Sequence, residues 1–155
     1  MSDYSTAPIT GGSSPEIDWA WLNFGDVDPA TEATVWGDDA NPDFDQFSNL
    51  EEYGFVLSPG DANTIEDPVT LSDTASSPTA FQLRVRQRKT SSDPNLAYLV
   101  EISETLINGS WSSTGITEVP PRESIDAEAE WVTYSLPDHN NDPQFVRVNV
   151  GRTGL

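Results

Sequence analysis

Cysteine is absent from the sequence, and no run of apolar residues approaches the roughly eighteen that a membrane-spanning helix needs. Without cysteine, disulfide bonds and thiolate metal sites are excluded. A protein that lives outside the cell would then need another reinforcement, and calcium is the obvious candidate. The 155 residues are enough for one domain with a real core, because a chain of this size buries roughly 68 to 70% of its unfolded surface.

Basic residues are also scarce. The chain has 7 Lys and Arg against 26 Asp and Glu, which gives a net charge of −19. The first base is Arg84, so residues 1–83 carry 16 acids and no counter-charge, whereas residues 84–155 carry ten acids and seven bases. Such a charge excludes nucleic acid as a partner. Acidic side chains without counter-charges repel each other, and bound cations or the arginines of another copy would relieve this repulsion. The alternative interpretation is that the acidity serves only solubility or life at high salt.

Residues 41–53 are the most informative stretch and read N-P-D-F-D-Q-F-S-N-L-E-E-Y. Numbered as a twelve-residue loop, they place oxygen-bearing side chains at positions one, three, five, nine and twelve, as an EF-hand calcium loop does. These predicted ligands are Asn41, Asp43, Asp45, Asn49 and Glu52. Phe47, at position seven, would contribute its backbone carbonyl. The spacing predicts a Ca²⁺ site in which Glu52 binds with both carboxylate oxygens.

Position six of this loop departs from the pattern, because it holds Gln46 where glycine is usual. A non-glycine residue in the left-handed region costs about 1 to 2 kcal/mol. A ligand at a hundred times its dissociation constant stabilises the fold by about 2.7 kcal/mol. The glutamine is therefore expected to weaken the site without abolishing it. The alternative is that D-x-D is only an Asx-turn followed by a helix cap.

The same block, followed by Gly54 and by Ser58-Pro59, resembles the D-P-D-G-D-G-x-x-N-L-x-E-Y block of secreted and surface bacterial proteins. In those proteins a calcium loop of EF-hand, dockerin or thrombospondin type precedes a C-terminal β-rich module. An aromatic stretch such as residues 19–25, W-A-W-L-N-F-G, commonly lies upstream. The resemblance covers about residues 18–150 and implies an extracellular, non-catalytic, calcium-stabilised module.

After Pro68 the spacing of apolar residues changes from that of a helix to every second residue, as in a β-strand. This change predicts a mainly β fold. Short connections favour an antiparallel β-sandwich, immunoglobulin-like or jelly-roll-like, or an open barrel. Six strands are predicted, at residues 69–71, 80–88, 96–103, 115–119, 130–136 and 144–150. The domain organisation is then an extended arm at 1–17, a helical segment with the calcium loop at 18–66, and the sandwich at 67–155, the last two forming one compact domain.

Two short helices are predicted to flank the calcium loop. Asp28-Pro29 is a cap followed by proline at the first helical position, so one helix is expected over residues 28–36, ending at Gly37. A second is expected over residues 47–55. The aromatic cluster at 18–24 is expected to pack in the core, with a sugar-binding platform as the alternative.

The N-terminal arm is polar, and ordering it would require docking along its own domain or pairing with a sheet edge. Strand donation to a neighbouring subunit through Tyr4 and Ile9 is therefore one hypothesis, and docking within the same subunit is the other. The row of Arg84, Arg86 and Arg88 on one strand face is either a docking stripe for an acidic half or a solvated face. Together these features favour a filament-forming homo-oligomer that assembles head to tail.

The alternative function is a carbohydrate-binding or accessory module that binds surface glycans through exposed Trp111 or Trp131. Asn108 begins an N-x-S glycosylation pattern. The only histidine, His139, has no marked nucleophile, so we interpret it as a loop residue and predict no enzyme activity. The spacing of Asp138, Asn140 and Asp142 lacks a closing glutamate and is at best a weak second site.

Overall fold

The computed structural model describes residues 14–61, 67–74, 77–138 and 145–153. Two α-helices precede six β-strands. The helices are α1 (Pro15–Phe24) and α2 (Asn49–Phe55), with a single π-helical turn, Glu32–Trp36, between them. The strands are β1 (Val69–Thr74), β2 (Ser77–Arg88), β3 (Leu96–Ser103), β4 (Thr117–Ser124), β5 (Ala129–Ser135) and β6 (Phe145–Arg152). The prediction of a mainly β chain with antiparallel strands and few helices is confirmed.

The strands form two sheets. One has four strands in the order β1-β2-β5-β4, and the other consists of β3 and β6. Every pair is antiparallel, with Val85 opposite Val132 in the larger sheet and Val100 opposite Val148 in the smaller one. Because side chains alternate between faces, these valines mark the apolar face of each strand.

One hydrophobic core is shared by both sheets and α2. Its buried members are Phe55, Leu57, Leu83, Val85, Val100 and Leu136. Partly buried valines of β6 and the ring of Tyr98 on β3 pack against it. Gly54 of α2 allows close packing on β6, because a Cβ there would lie 2.6 Å from a methyl group of Val150. Helix α2, which begins within the 41–52 loop, is therefore held against β6 near its C-terminal end.

Helix α1 begins earlier than the sequence analysis allowed. Ser14 is its N-cap, accepting a hydrogen bond from the Ile17 amide, and Pro15 occupies the first turn, where no amide hydrogen is needed. The helix ends at Gly25, which adopts the left-handed conformation with φ of 64°. Residues 15–17 are thus helical, and the predicted boundary of the extended arm at residue 17 is wrong.

The aromatic cluster on α1 is only partly packed. Trp19 makes an edge-to-face contact with Tyr53 at 5.4 Å between ring centroids, and Ala20 is fully buried. Trp21 is 53% exposed and Leu22 82% exposed, so the expected core packing holds for one side of the helix and not the other. A ten-residue helix lying on a surface buries one stripe of side chains, and these two residues lie outside it.

The predicted helix at 28–36 shortens to the π-helical turn because local side chains compete for the backbone. The carboxylate of Asp26 accepts bonds from the Asp28 amide (2.9 Å) and the Thr31 hydroxyl (2.7 Å). Asp28 in turn accepts from the Ala30 amide at 2.9 Å. Such Asx-type bonds replace the hydrogen bonds that the first helical turn would make.

Strand β4 lies at the outer edge of the larger sheet and is longer than the predicted strand at 115–119. Pro120 and Pro121 interrupt its register with β5 and argue against a central strand, but proline is tolerated at an edge. Two residues without an amide hydrogen also prevent another strand from pairing there. Among the described residues, no helix is long and apolar enough to cross a membrane.

Candidate metal centre

The loop from Asn41 to Glu52 is anchored at the N-terminus of α2. Ser48 and Glu51 form a capping box, in which the Ser48 hydroxyl accepts from the Glu51 amide and the Glu51 carboxylate accepts from the Ser48 amide at 2.8 Å. The Asn49 amide donates to the carbonyl of Ala40 at 2.8 Å, which brings the two ends of the loop together.

The two asparagine side chains of the loop each hold one buried oxygen. Asn49 is 1% exposed and donates from Nδ2 to the carbonyls of Val35 (2.9 Å) and Gly37 (3.1 Å). Asn41 donates from Nδ2 to the Asp45 carbonyl at 2.8 Å. Each side-chain nitrogen thus donates to a backbone carbonyl, whereas each Oδ1 is buried with no hydrogen-bond partner among the described residues.

Three carboxylates complete the centre. Each of Asp43, Asp45 and Glu52 contributes an oxygen, and the three oxygens lie within 4.8 Å of one another. Glu52 is completely buried, and neither of its oxygens has a hydrogen-bond partner in the described part of the chain. Five buried, unpartnered oxygens therefore occur in this loop: Asn41 Oδ1, Asp43 Oδ2, Asn49 Oδ1 and both Oε atoms of Glu52.

Burial first, and then the neighbouring charges of Asp43 and Asp45, raise the pKa of Glu52 to about 8. Buried polar groups in proteins are nearly always hydrogen-bonded, and an unpaired buried carboxylate is costly. Four of the six predicted ligand residues hold the five unpartnered atoms. Asp45 belongs to the carboxylate group, and its Oδ1 accepts from the Phe47 amide at 2.6 Å. An oxygen-rich, acidic arrangement of this kind can hold a hard cation.

The strained residue of the loop is Phe44, not Gln46. Phe44, at position four, has φ of 60° and is 90% exposed. Gln46 is not among the described non-glycine residues with positive φ, so the expected backbone cost at position six does not arise there. The tight turn thus occurs two residues earlier than the glycine of an EF-hand loop predicts.

A half-buried ion-pair network that the sequence analysis missed lies beside the loop. Arg152 binds Asp38 through Nε and Nη2, both at 2.9 Å, and also contacts Glu16 at 2.8 Å. The backbone carbonyl of Asp38 accepts from the Leu50 amide at 3.0 Å, linking the network to α2. Burial, followed by the adjacent Asp38, raises the pKa of Glu16 to about 7. No local pattern could reveal this pairing, because Asp38 and Arg152 lie 114 residues apart.

The predicted arginine row does not form one exposed stripe. Arg84 pairs with Glu123 of β4 and lies over the ring of Trp131 at 4.8 Å. Arg86, on the same face, is half-buried. Arg84 therefore lies on the outer face of the larger sheet, already engaged with its own chain.

Arg88 belongs to the interior. It is 6% exposed, its Nε donates to the Tyr53 carbonyl at 3.0 Å, and its guanidinium lies 4.1 Å from the centre of the Tyr53 ring. Its Nη1 pairs with Glu128 at 3.1 Å. The strand ends at Arg88, where α2 packs across it, and the expected exposure of this residue is corrected to burial under α2.

The remaining candidate residues lie away from the centre. Asn108 is exposed in the turn after β3, next to Gly109 with φ of 89°. Trp111 is half-buried, with the guanidinium of Arg147 at 4.3 Å from its ring centre. The predictions for Tyr4, Ile9, His139, Asn140 and Asp142 fall outside the described residues.

Comparison of the chain with protein-family models, with curated proteins and with solved structures gave no match. The functional argument therefore rests on the residues of the metal centre and their surroundings.

Proposed function

We propose that this chain is a non-enzymatic, extracellular structural protein, a β-sandwich subunit stabilised by Ca²⁺ in the loop from Asn41 to Glu52. The observation that carries the proposal is the set of five buried oxygens without hydrogen-bond partners among the described residues. All five belong to positions that the loop spacing assigned as ligands. The loop also contains Asx-type bonds and a helix cap, but these use other oxygens, such as Asp45 Oδ1, which accepts from the Phe47 amide, so they do not account for the five unpartnered ones.

The number and kind of donors favour calcium over magnesium. One oxygen each from Asn41, Asp43, Asp45, Asn49 and the Phe47 carbonyl, with two from Glu52, gives seven. Ca²⁺ accepts six to eight oxygens at about 2.3 to 2.6 Å in irregular geometry. Mg²⁺ requires a near-octahedral shell at about 2.0 to 2.1 Å and usually retains several waters. A cation here would neutralise the three carboxylates and fix the loop against α2.

The structural role is assembly into a head-to-tail homo-oligomer through the N-terminal arm. The acidic first half of the chain and the base-bearing second half support contacts between unlike surfaces of neighbouring subunits. Heterologous contacts of this kind do not close on themselves and generate filaments. Arg84 and Arg86 remain candidates for this contact, whereas Arg88 is used inside the subunit.

A carbohydrate-binding or accessory module is the second candidate. A shallow pocket lined by hydroxyl side chains, including Ser103, Thr105 and Ser110, lies at the end of β3, and Trp111 follows it in sequence. Arg147 covers one face of Trp111 and Arg84 one face of Trp131, so a sugar would stack on the opposite face. Retarded migration of a monomer in polysaccharide-containing gels would favour this candidate, and filaments in electron micrographs would favour the first.

The metal is tested by thermal unfolding with calcium and with chelator. We expect chelator to lower the melting temperature of the native sequence and to have no effect on the double variant Asp43→Ala, Asp45→Ala. The matched control, Asp39→Ala with Glu104→Ala, removes the same charge from exposed positions outside the centre and should retain the calcium response. Equal melting of the native sequence in calcium and in chelator would refute the metal site.

A further inference from the structure

A groove runs along one side of the molecule, between the beginning of β1 and the first half of β6. Its apolar lining comes from Phe47, Phe55, Val69, Val146 and Val148. Part of the groove wall belongs to the metal loop, since Gln46 and Phe47 lie between the ligand positions Asp45 and Asn49. The groove therefore joins the proposed calcium centre to the edges of both sheets.

The strand edges beside this groove are open in the described part of the chain. Strand β6 pairs with β3 on one side only, and β1 pairs with β2 on one side only. Three consecutive residues of β6, 146–148, line the groove, so its backbone edge faces it. A two-stranded sheet is marginal by itself, and an added strand would satisfy the amide and carbonyl groups of this edge. Strand β4, by contrast, is protected by Pro120 and Pro121.

The segment best suited to the groove is residues 1–13. It contains a single acid, Asp3, and no base, whereas residues 14–83 carry the other fifteen acids of the first half. The groove lining includes two acids, Glu51 and Asp67, and one base, Arg147, which is paired with Glu101. A nearly uncharged segment is therefore favoured over the more acidic ones. Thirteen extended residues span at most about 43 to 47 Å, more than the length of β6.

The positions of the two ends favour a second copy as the donor. The arm leaves the subunit at Ser14, and Glu16 in the next turn contacts Arg152, the last residue of β6. The groove lies at the other end of β6, about six residues or roughly 20 Å away. An arm folding back along its own β6 would run parallel to it, whereas every strand pair in the structure is antiparallel. An arm from another copy is free to enter antiparallel.

We propose that the groove between β1 and β6 receives residues 1–13 of a second copy, which add a strand to the edge of β6. This inference rests on the proposed function, because the metal loop supplies one wall of the groove. The arm leaves the subunit at one end of β6 and the groove lies at the other end, so each copy can donate its arm to one neighbour and receive the arm of another. Head-to-tail donation of this kind gives an open chain of subunits unless the rotation between neighbours closes a ring.

The absence of cysteine permits a direct test by disulfide cross-linking in the full chain. Tyr4→Cys and Ile9→Cys provide two donor chains, because residues five apart take opposite faces of a regular strand. Gln46→Cys provides the acceptor, and Thr117→Cys, exposed on β4, provides the matched control. Donor and acceptor chains are mixed at about 10 μM in glutathione buffer with calcium, and the heterodimer is quantified by gel electrophoresis.

Docked thiols are held at an effective concentration of about 1 mM, so one of the two donors should cross-link to Gln46→Cys roughly a hundredfold faster than to Thr117→Cys. Equal rates for both acceptors, or no cross-link, would overturn the proposal. A cross-link found only within a single chain carrying both cysteines would also overturn it, since the arm would then cover its own groove. Calcium-dependent melting, measured on each variant, shows separately whether the metal centre survives.

Discussion

Replacing Glu52 by glutamine should have opposite effects on stability with and without calcium. Glu52 is the only completely buried carboxylate of the centre, and both of its oxygens lack partners in the described part of the chain. Without a cation this carboxylate destabilises the fold, whereas with a cation it supplies two ligands. Glutamine keeps the volume and one oxygen but removes the charge.

The size of the effect follows from the distances and the pKa. Carboxylates whose oxygens lie within 4.8 Å repel each other by about 3.5 kcal/mol or more at an effective dielectric constant of about 20. Glu52 escapes part of this by binding a proton, because burial and the charges of Asp43 and Asp45 raise its pKa from 4.5 to about 8. The contribution of Glu52 to the stability of the calcium-free fold is therefore fully present below pH 4.5 and is lost as the pH rises toward 8. At pH 7 this loss is about 3 kcal/mol, at 1.36 kcal/mol per pH unit.

An unpaired buried amide still costs about 1 kcal/mol, so Glu52→Gln should stabilise the calcium-free protein by about 2 kcal/mol. Calcium at a thousand times its dissociation constant stabilises the native sequence by about 4.1 kcal/mol. If the variant loses this response, it is about 2 kcal/mol less stable than the native sequence in calcium. For a chain of this size, each kcal/mol corresponds to about 2 to 4 °C in melting temperature.

The assay is thermal unfolding at pH 7 of both proteins, in chelator and in excess calcium. The control is Glu104→Gln, which removes the same charge from an exposed position outside the centre. It should change stability little, and equally, under both conditions. A Glu52→Gln variant that melts lower by the same amount in chelator and in calcium would refute the reasoning, because Glu52 would then act only in packing.

Two further substitutions test the geometry around the centre. Phe44→Gly should stabilise the protein by about 1 kcal/mol in urea denaturation, because it removes a non-glycine residue from the left-handed region. Gln46→Gly should not stabilise it. Stabilisation by Gln46→Gly and not by Phe44→Gly would place the tight turn at position six. Because the pKa of Glu16 is raised from 4.5 to about 7, the fold loses stability between these pH values as Glu16 ionises beside Asp38. Glu16→Gln, measured in saturating calcium, should be about 1 kcal/mol more stable than the native sequence at pH 8 and unchanged at pH 5, the gain being limited by the lost ion pair with Arg152. A variant whose stability relative to the native sequence is the same at pH 8 as at pH 5 would contradict this assignment.

Local sequence patterns predicted the positions of helices and strands better than they predicted how these elements pack together. The predicted strand 96–103 coincides with β3, because its alternation is uninterrupted and turn residues bound it. The proximity of the Asp43, Asp45 and Glu52 carboxylates was also predictable, because it follows from spacing within twelve residues. Strand β4 was predicted too short, since proline normally ends a strand and only an edge position permits it to continue.

Contacts between distant segments were not predictable in the same way. Arg88 shares the alternation of Arg84 and Arg86, and nothing in that pattern shows that α2 covers one of them and not the others. The arrangement of Arg152 with Asp38 and Glu16 likewise joins both ends of the chain.

The sequence by itself determined the oxygen spacing of the 41–52 loop, the change of period after Pro68 and the uneven distribution of charge, because each is a property of neighbouring residues. Tertiary structure decided which strands share a sheet, which arginine is buried, and that five oxygens of the loop are buried with no hydrogen-bond donor among the described residues. These outcomes depend on how segments far apart in the chain pack together. Burial sets the cost of an unpartnered oxygen, and a side chain becomes buried only when such segments pack against each other.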